Sequence, residues 1–503
     1  MNVGKSKGIW LILGPVLALV VYWLLPDQYI ASDGEPAVFT HTAKATLCLL
    51  VWMAVWWLSE ATHITVTALL PIALFPLFDV ASIKEATAPY ASHIIFLFLG
   101  GFIIAIAIQR WNLDKRIALG ILTRIGNTPS RIVGGFMFAT AFLSAFISNT
   151  ATTAMMLPIG LSVIALLTSK NNNHSAFATC IMLSIAYAAN IGGIATIIGT
   201  APNLFVVSFL KDAINTPFQQ DISFLQWAKI GTPTALVLLP IAWWLLSKVI
   251  YKVDKVSLQH SSKSLLDQKR SLGSMNYEEK AVCWVFVFTI TLWLSRTFLQ
   301  GLEFTISRNT YAPLSGLTDS SIAIFSAILL FLIPTKSNIS NFILEWKDLR
   351  DLPWGILILL GGGLSLAAAV QANGVTEFIG AHTTVLAFMP PLLILLIIIT
   401  AVVFLTELTS NTATTATLVP VLAAIAPSLN IHPYILVIPA AIASSCAFML
   451  PIATPPNAIV FASGHIAMQE MRKSGFWLNL LCLLVITALA YTFSTYMINL
   501  LQS

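Results

Sequence analysis

Charge is what this sequence has least of. Only 9% of its 503 residues are Asp, Glu, Lys or Arg, where a soluble domain carries about 25%. So few charges cannot cover a water-facing surface, so a soluble globular protein is excluded. Hydrophobic residues make up 57% of the chain, which must face lipid. No polar stretch is long enough for a separate soluble domain, so one integrated membrane domain is expected. The net charge of +5 is no signal for nucleic acid. Cysteine is also scarce. Cys48, Cys180, Cys283, Cys446 and Cys482 all lie in apolar runs and none is paired at CxxC spacing. Metal and redox chemistry are therefore not indicated, and the thiols read as buried spectators. The signatures of hydrolases, kinases and metalloproteases are missing too, so no enzyme is expected. Gly100-Gly101 and Gly361-Gly362-Gly363 lie inside apolar helices, where glycine permits close packing.

What is present is apolar sequence cut into spans. A spanning helix needs roughly 20 mostly apolar residues. The candidates are 9–25, 44–58, 62–78, 93–108, 177–198, 230–250, 281–299, 319–334, 354–370, 432–450 and 476–500. The first follows Lys5 and Lys7 as a signal peptide would. No small-residue cleavage site comes after it and Pro26-Asp27 ends it, so it reads as a retained first helix. Two further stretches, 132–168 and 383–428, are too long for one crossing, and each is interrupted by Ser-Asn-Thr. A re-entrant helical hairpin fits each, because a broken backbone at membrane depth is tolerated only inside protein or beside a wet cavity.

The positive-inside rule tests that layout. With the N-terminus in the cytoplasm, 20 of the 26 Lys and Arg residues fall on cytoplasmic segments. They include five between 110 and 131, Lys170, seven between 248 and 280, three between 336 and 350, and Arg472 with Lys473. Lys44, Lys84, Lys211, Lys229, Arg296 and Arg308 fall outside. The C-terminus is then external. Segment 109–131 mixes apolar and basic residues as an amphipathic surface helix would.

An internal repeat divides the chain. Ser148-Asn149-Thr150-Ala151-Thr152-Thr153 recurs as Ser410-Asn411-Thr412-Ala413-Thr414-Thr415, 262 residues later. Gln109 matches Gln371, and Gly101 matches Gly363, at the same offset. A second pair follows: Gly199-Thr200-Ala201-Pro202-Asn203 and Ala453-Thr454-Pro455-Pro456-Asn457. The layout turns one hairpin inward and the other outward, so the repeats are inverted, as in many secondary transporters. The resulting organisation is an N-terminal helix and external loop (1–43) and a first repeat (44–250) with hairpin 132–168. A cytoplasmic linker (251–280) leads to a second repeat (281–503) with hairpin 383–428 and a C-terminal helix.

Each Ser-Asn-Thr break offers hydroxyls and an amide to a carboxylate, and helix starts there favour an anion. Free carbonyls and side-chain oxygens suit a hard cation such as sodium. Two facing copies match a molecule with two carboxylates better than a molecule with one. The Pro-Asn breaks read the same way. Proline disrupts the helix ladder, and Asn203 and Asn457 can satisfy the backbone groups it frees. No Arg or Lys sits in the motifs, so co-bound cations must balance the anion. Intramembrane acids are rare and suspect by default. Glu60, near a helix end with His63 close by, reads as interfacial or fold-stabilising. Glu407 stands three residues before the second Ser-Asn-Thr, where the first repeat has Ala145. That asymmetry argues for a protonated or hydrogen-bonded support residue.

These motifs resemble the divalent-anion/sodium symporters, a family of sodium-coupled dicarboxylate, citrate and sulfate transporters. The likeness runs over nearly the whole chain. It is most specific at Ser445–Phe461, at both Ser-Asn-Thr motifs and at Trp56-Trp57-Leu58-Ser59-Glu60-Ala61. The resemblance implies an all-α polytopic fold with about eleven transmembrane helices and two re-entrant hairpins. It also implies a homodimer in the bilayer, with a scaffold domain and a transport domain that moves like an elevator. By motif match, one sodium is expected near Ser144, Ser148, Asn149 and Gly199, the other near Thr406, Thr409, Asn411 and Ala453. Substrate is expected at Ser148-Asn149-Thr150, Ser410-Asn411-Thr412, Thr200, Thr454 and Pro455. Ala201 departs from the family, whose members often have proline there, and Thr409 from members with alanine.

The expectation is sodium-coupled uptake of a C4 dicarboxylate such as succinate, malate or fumarate across a bacterial inner membrane, with sodium as coupling ion and no organic cofactor. The rivals are a sodium-independent exchanger and a citrate or sulfate carrier on the same fold. An anion channel or a membrane enzyme would be a different class altogether.

Overall fold

The computed structural model describes residues 3–31, 34–125, 128–165, 173–214, 216–255, 261–306, 309–336, 341–383 and 388–502. Helix dominates them. The strands are two short antiparallel ribbons, Gln28–Ile30 with Pro36–Val38 and Phe304–Ile306 with Asn309–Tyr311. Several helix starts are written in the sequence. Ser223 with Gln226 and Asn276 with Glu279 form capping boxes that satisfy the first free N–H groups of Phe224–Trp244 and Tyr277–Gln300.

Among the described residues, seven helices are long and apolar enough to cross a membrane. They are His41–Ser59, Ile83–Arg110, Ala176–Gly193, Phe224–Ile250, Tyr277–Gln300, Trp354–Ala372 and Met468–Thr492. This is an integral membrane protein. Shorter apolar helices occupy other expected spans, among them Gly8–Leu24, Ile64–Leu74, Asp319–Leu332 and Pro433–Ser444. The shortening has local causes. The expected span 62–78 is split into Ile64–Thr67 and Leu70–Leu74. The span 432–450 unwinds after Ser444 and resumes as Pro455–Phe461, and 177–198 unwinds after Gly193 and resumes as Ala201–Asp212. Each restart places proline in the first helical turn, where its missing N–H costs nothing. The span 476–500 is two helices, Met468–Thr492 and Ser494–Gln502.

The long Ser-Asn-Thr stretches are each two helices in contact. Pro129–Ser144 meets Asn149–Ala165, and Pro391–Thr406 meets Asn411–Ile425. Residues 166–168 and 384–387 of the expected hairpins lie outside the described residues, as do Lys170, 256–260 of the linker and Arg308. The two halves interlock. Pro455–Phe461 packs on Asn149–Ala165, and Ala201–Asp212 packs on Asn411–Ile425. Each broken helix therefore restarts against the other half's motif helix.

The amphipathic segment forms a helix over Leu113–Leu122, with Leu113, Ala118, Leu119 and Leu122 buried. The linker is itself helical over Ser261–Ser271 and packs on that helix. Arg116 adds a bidentate contact to Glu279 at 2.9 and 3.1 Å. The glycine reading holds for packing: a Cβ on Gly100 would lie 2.7 Å from the Ala323 backbone. The cysteines are free, and all but Cys283 are buried.

Candidate functional site

The site is built where four helices begin or stop. Asn149 and Asn411 are the first residues of their helices. In the first half, the Ser144 hydroxyl lies 2.6 Å from Asn149 Oδ1 and 2.8 Å from the Ala189 carbonyl. In the second, the Thr406 hydroxyl lies 2.8 Å from Asn411 Oδ1 and 2.8 Å from the Ser444 carbonyl. The same hydroxyl–amide–carbonyl arrangement thus occurs twice, and it fixes each motif to the end of the next unwinding helix.

The unwound loops repeat the symmetry. Asn203 Nδ2 donates to the carbonyls of Gly193 (2.9 Å), Ile194 (3.3 Å) and Thr196 (2.8 Å). Asn457 Nδ2 donates to those of Ala447 (3.1 Å) and Leu450 (3.0 Å). Both amides are fully buried, and both Oδ1 atoms are buried without a hydrogen-bond partner. Thr200 and Thr454 share a backbone conformation, φ −149° with ψ 149° and φ −143° with ψ 149°. Thr454 caps its helix through Asn457 N at 3.3 Å, whereas Thr200 makes no such bond. The first loop leaves no room for a side chain at Gly193 or Gly199. A Cβ on Gly193 would lie 2.6 Å from Asn149 Oδ1, and a Cβ on Gly199 would lie 2.4 Å from the Gly193 carbonyl.

These pieces enclose one cavity of about 730 Å³. Ser148, Asn149, Thr150, Gly199 and Thr200 line it from the first half, and Ser410, Asn411, Thr412, Ala453, Thr454 and Pro455 from the second. Ser144 and Thr406 stand behind the wall, acting through their asparagines. Thr409 is turned away: its hydroxyl lies 3.0 Å from the Leu405 carbonyl and 2.6 Å from the Thr414 hydroxyl. The oxygen-rich lining suits a hard cation. The asparagine helix starts and free hydroxyls suit a carboxylate.

Four polar residues of the wall were not assigned to the site from sequence. Glu60, Thr62 and His63 line the cavity, although Glu60 and His63 read as interfacial. Glu60 ends the His41–Ser59 helix at φ 48°, a left-handed conformation that turns the chain sharply. Asn190 was missed altogether. It is fully buried, accepts from Asn149 Nδ2 at 3.4 Å and donates to the Ala447 carbonyl and the Thr454 hydroxyl at 3.2 and 3.3 Å. It therefore joins the two halves of the site. Its signal was a lone amide in an apolar helix, since such a group is stable only when paired.

Glu407 is a hydrogen-bonded support residue. Its carboxylate accepts from the backbone N–H groups of Phe448, Met449 and Leu450 and from Asn479 Nδ2. The first half has no counterpart. There the Thr196 hydroxyl bonds the Ala145 carbonyl, while Trp227 and Thr232 donate to the carbonyls of Ile194 and Ala195.

Comparison with known proteins identifies relatives of the whole chain. Two relatives share 41% identity. One is a sodium-dependent dicarboxylate transporter of Staphylococcus saprophyticus, matched over 97% of this chain and 91% of the relative. The other is its namesake in a Staphylococcus aureus strain, matched over 96% and 90%. The crystal structure of the Alcanivorax borkumensis YdaH transporter has a similar fold, with a TM-score of 0.57 at 12% identity over 98% of both chains. The profile of the sodium:sulfate symporter transmembrane region matches residues 6–500, and the chain belongs to that family.

Proposed function

We propose that this protein is a secondary transporter that couples sodium entry to uptake of a C4 dicarboxylate, and is not an enzyme or a channel. The observation that carries this reading is the duplicated Ser144–Asn149 and Thr406–Asn411 arrangement around one cavity. Two motif ends in one cavity match two carboxylates, where a tetrahedral oxyanion would need only one. The names of the 41% identical relatives, which are sodium-dependent dicarboxylate transporters, point the same way.

The residues divide by chemistry. Ser148, Asn149, Thr150, Ser410, Asn411 and Thr412, with Thr200, Thr454 and Pro455, hold the substrate. Asn149 Oδ1 and Asn411 Oδ1, oriented by Ser144 and Thr406, face a sodium ion each, together with the loop oxygens around Gly199 and Ala453. Thr409 serves the second ion by supporting Thr414 in the motif helix. Two sodium ions neutralise a dianion, so a third is needed for net charge movement. Each net charge then gains about 2.3 kcal/mol per 100 mV, and a tenfold sodium gradient adds about 1.4 kcal/mol per ion.

The two helical pairs are re-entrant hairpins of inverted repeats, and the N-terminus is cytoplasmic. On that layout Glu60, His63 and Ile356 lie at cytoplasmic helix ends, so the cavity opens inward. A homodimer, with a scaffold carrying an elevator-like transport domain, completes the reading. The test is uptake of radiolabelled succinate into proteoliposomes under an inward sodium gradient, against an inward potassium gradient. Sodium-dependent uptake competed by malate but not by sulfate is the expected result. Uptake that ignores sodium but needs an internal dicarboxylate would make the protein an exchanger. Competition by sulfate alone would move the substrate to an oxyanion.

A further inference from the structure

The geometry points to Glu407 as the positioning residue that makes the second cation loop the stronger of the two. This inference rests on the symport reading and assigns unequal parts to its two sodium sites.

The loop from Ser445 to Thr454 has lost its helical ladder, and its N–H groups must find other acceptors. Glu407 supplies them. Oε1 accepts from Phe448 N at 2.6 Å and Met449 N at 2.9 Å, and Oε2 from Met449 N at 3.0 Å and Leu450 N at 3.1 Å. Asn479 Nδ2, from the Met468–Thr492 helix, adds a bond at 2.6 Å. Three of these donors are backbone groups, which cannot turn around to accept. A carboxylate satisfies all of them, and a carboxylic acid would have to waste a proton among them. Glu407 is 3% exposed, and among the described residues no Lys, Arg or His lies within ion-pair distance of it.

Glu407 holds the loop's N–H groups, while Tyr187, Asn190 and Asn457 hold the carbonyls of Phe448, Ala447 and Leu450. The set of four N–H donors around Glu407 is one that a carboxylate satisfies, and among the described residues no basic side chain pairs with it. The first loop is fixed by neutral groups alone: the amide of Asn203, the indole of Trp227 and the hydroxyls of Thr196 and Thr232. A unit charge in the same half of the site, at an effective dielectric of about 20, changes cation binding by roughly tenfold. Sodium therefore fills the second loop at lower concentration than the first, and substrate completes a site already half charged.

The test is Glu407→Gln, which keeps size and removes charge. Purified wild type and variant are titrated with sodium at constant ionic strength, with potassium as the balancing ion. The readouts are sodium-induced thermal stabilisation without substrate, and uptake in proteoliposomes. The variant is expected to need roughly tenfold more sodium in both assays. Its succinate KM at saturating sodium should stay within about threefold. Glu407→Asp should recover part of the sodium affinity. If Glu407→Gln does not fold, Asn479→Ala takes its place. It leaves the charge but frees one side of the clamp, and a sodium shift of roughly threefold is expected. An unshifted sodium titration in a folded Glu407→Gln, or in Asn479→Ala where the first variant fails, overturns the inference alone. A wild type indifferent to sodium in both assays overturns the symport reading as well.

Discussion

The loops after Gly193 and after Ser444 do the same structural job with different outer bonds. Both interrupt a buried helix, both are gathered by a downstream asparagine, and both restart at Thr200 or Thr454 in nearly the same backbone conformation. The asparagine clamp is the shared skeleton and decides where the loop oxygens stand. The outer ties differ in sign. Both loops have carbonyls held by neutral donors, Trp227 and Thr232 in the first and Tyr187 and Asn190 in the second, and the second also has its N–H groups held by Glu407. A pseudo-symmetric site can thus keep equal geometry while its halves differ in charge, since geometry is set by hydrogen-bond count and affinity by the field the partners leave behind.

Substitutions can break this comparison, and the largest effect is expected at its common centre. Asn149→Ala and Asn411→Ala each remove a half-buried amide bonded to a hydroxyl and leave partners unpaired. A loss of about 2–3 kcal/mol each, roughly a factor of 30 to 150 in sodium affinity, should show in sodium-driven uptake, with normal amounts of folded protein in the membrane. Normal uptake by both variants would remove the site assignment. Next comes the crowding that distinguishes the halves. Gly193→Ala places a Cβ against Asn149 Oδ1 and should cost about 1–3 kcal/mol. The corresponding Ala447→Gly in the second loop only adds backbone freedom, about 0.5–1 kcal/mol. Sodium half-saturation measured for the pair checks the order.

The helix caps sharpen the comparison further. Thr454→Val loses a helix cap and should lower unfolding stability by about 1 kcal/mol. Thr200→Val loses no such bond, so its melting temperature should hold while succinate KM rises. The smallest effect is expected for Thr406→Ser, which makes the second half copy Ser144. The hydroxyl survives and one buried methyl is lost, at a cost of about 1 kcal/mol in stability. Sodium dependence should stay close to wild type in the uptake assay.

Much of this site was legible before folding because broken helices in lipid leave a local trace. Ser148-Asn149-Thr150 and Ser410-Asn411-Thr412 had to be polar, because free backbone groups at membrane depth need partners nearby in the chain. Asn203 and Asn457 were legible for the same reason. Glu407 read as a support residue from its lack of a counterpart in the first repeat, although its partners, 41 to 43 and 72 residues away, did not. Asn190, Glu60 and His63 were not legible as site residues. Asn190 joins groups from both halves, and Glu60 meets the cavity only because the chain turns at its positive φ.

The sequence by itself determined that the chain lives in lipid, where its helices fall and where four of them must break. Those outcomes follow from composition and from backbone hydrogen bonding, which act within a few residues. Only the tertiary structure decided that the four breaks share one cavity. Each helix restart packs on the other half's motif helix, and contacts at such sequence separation come from burial and shape, which no local pattern encodes.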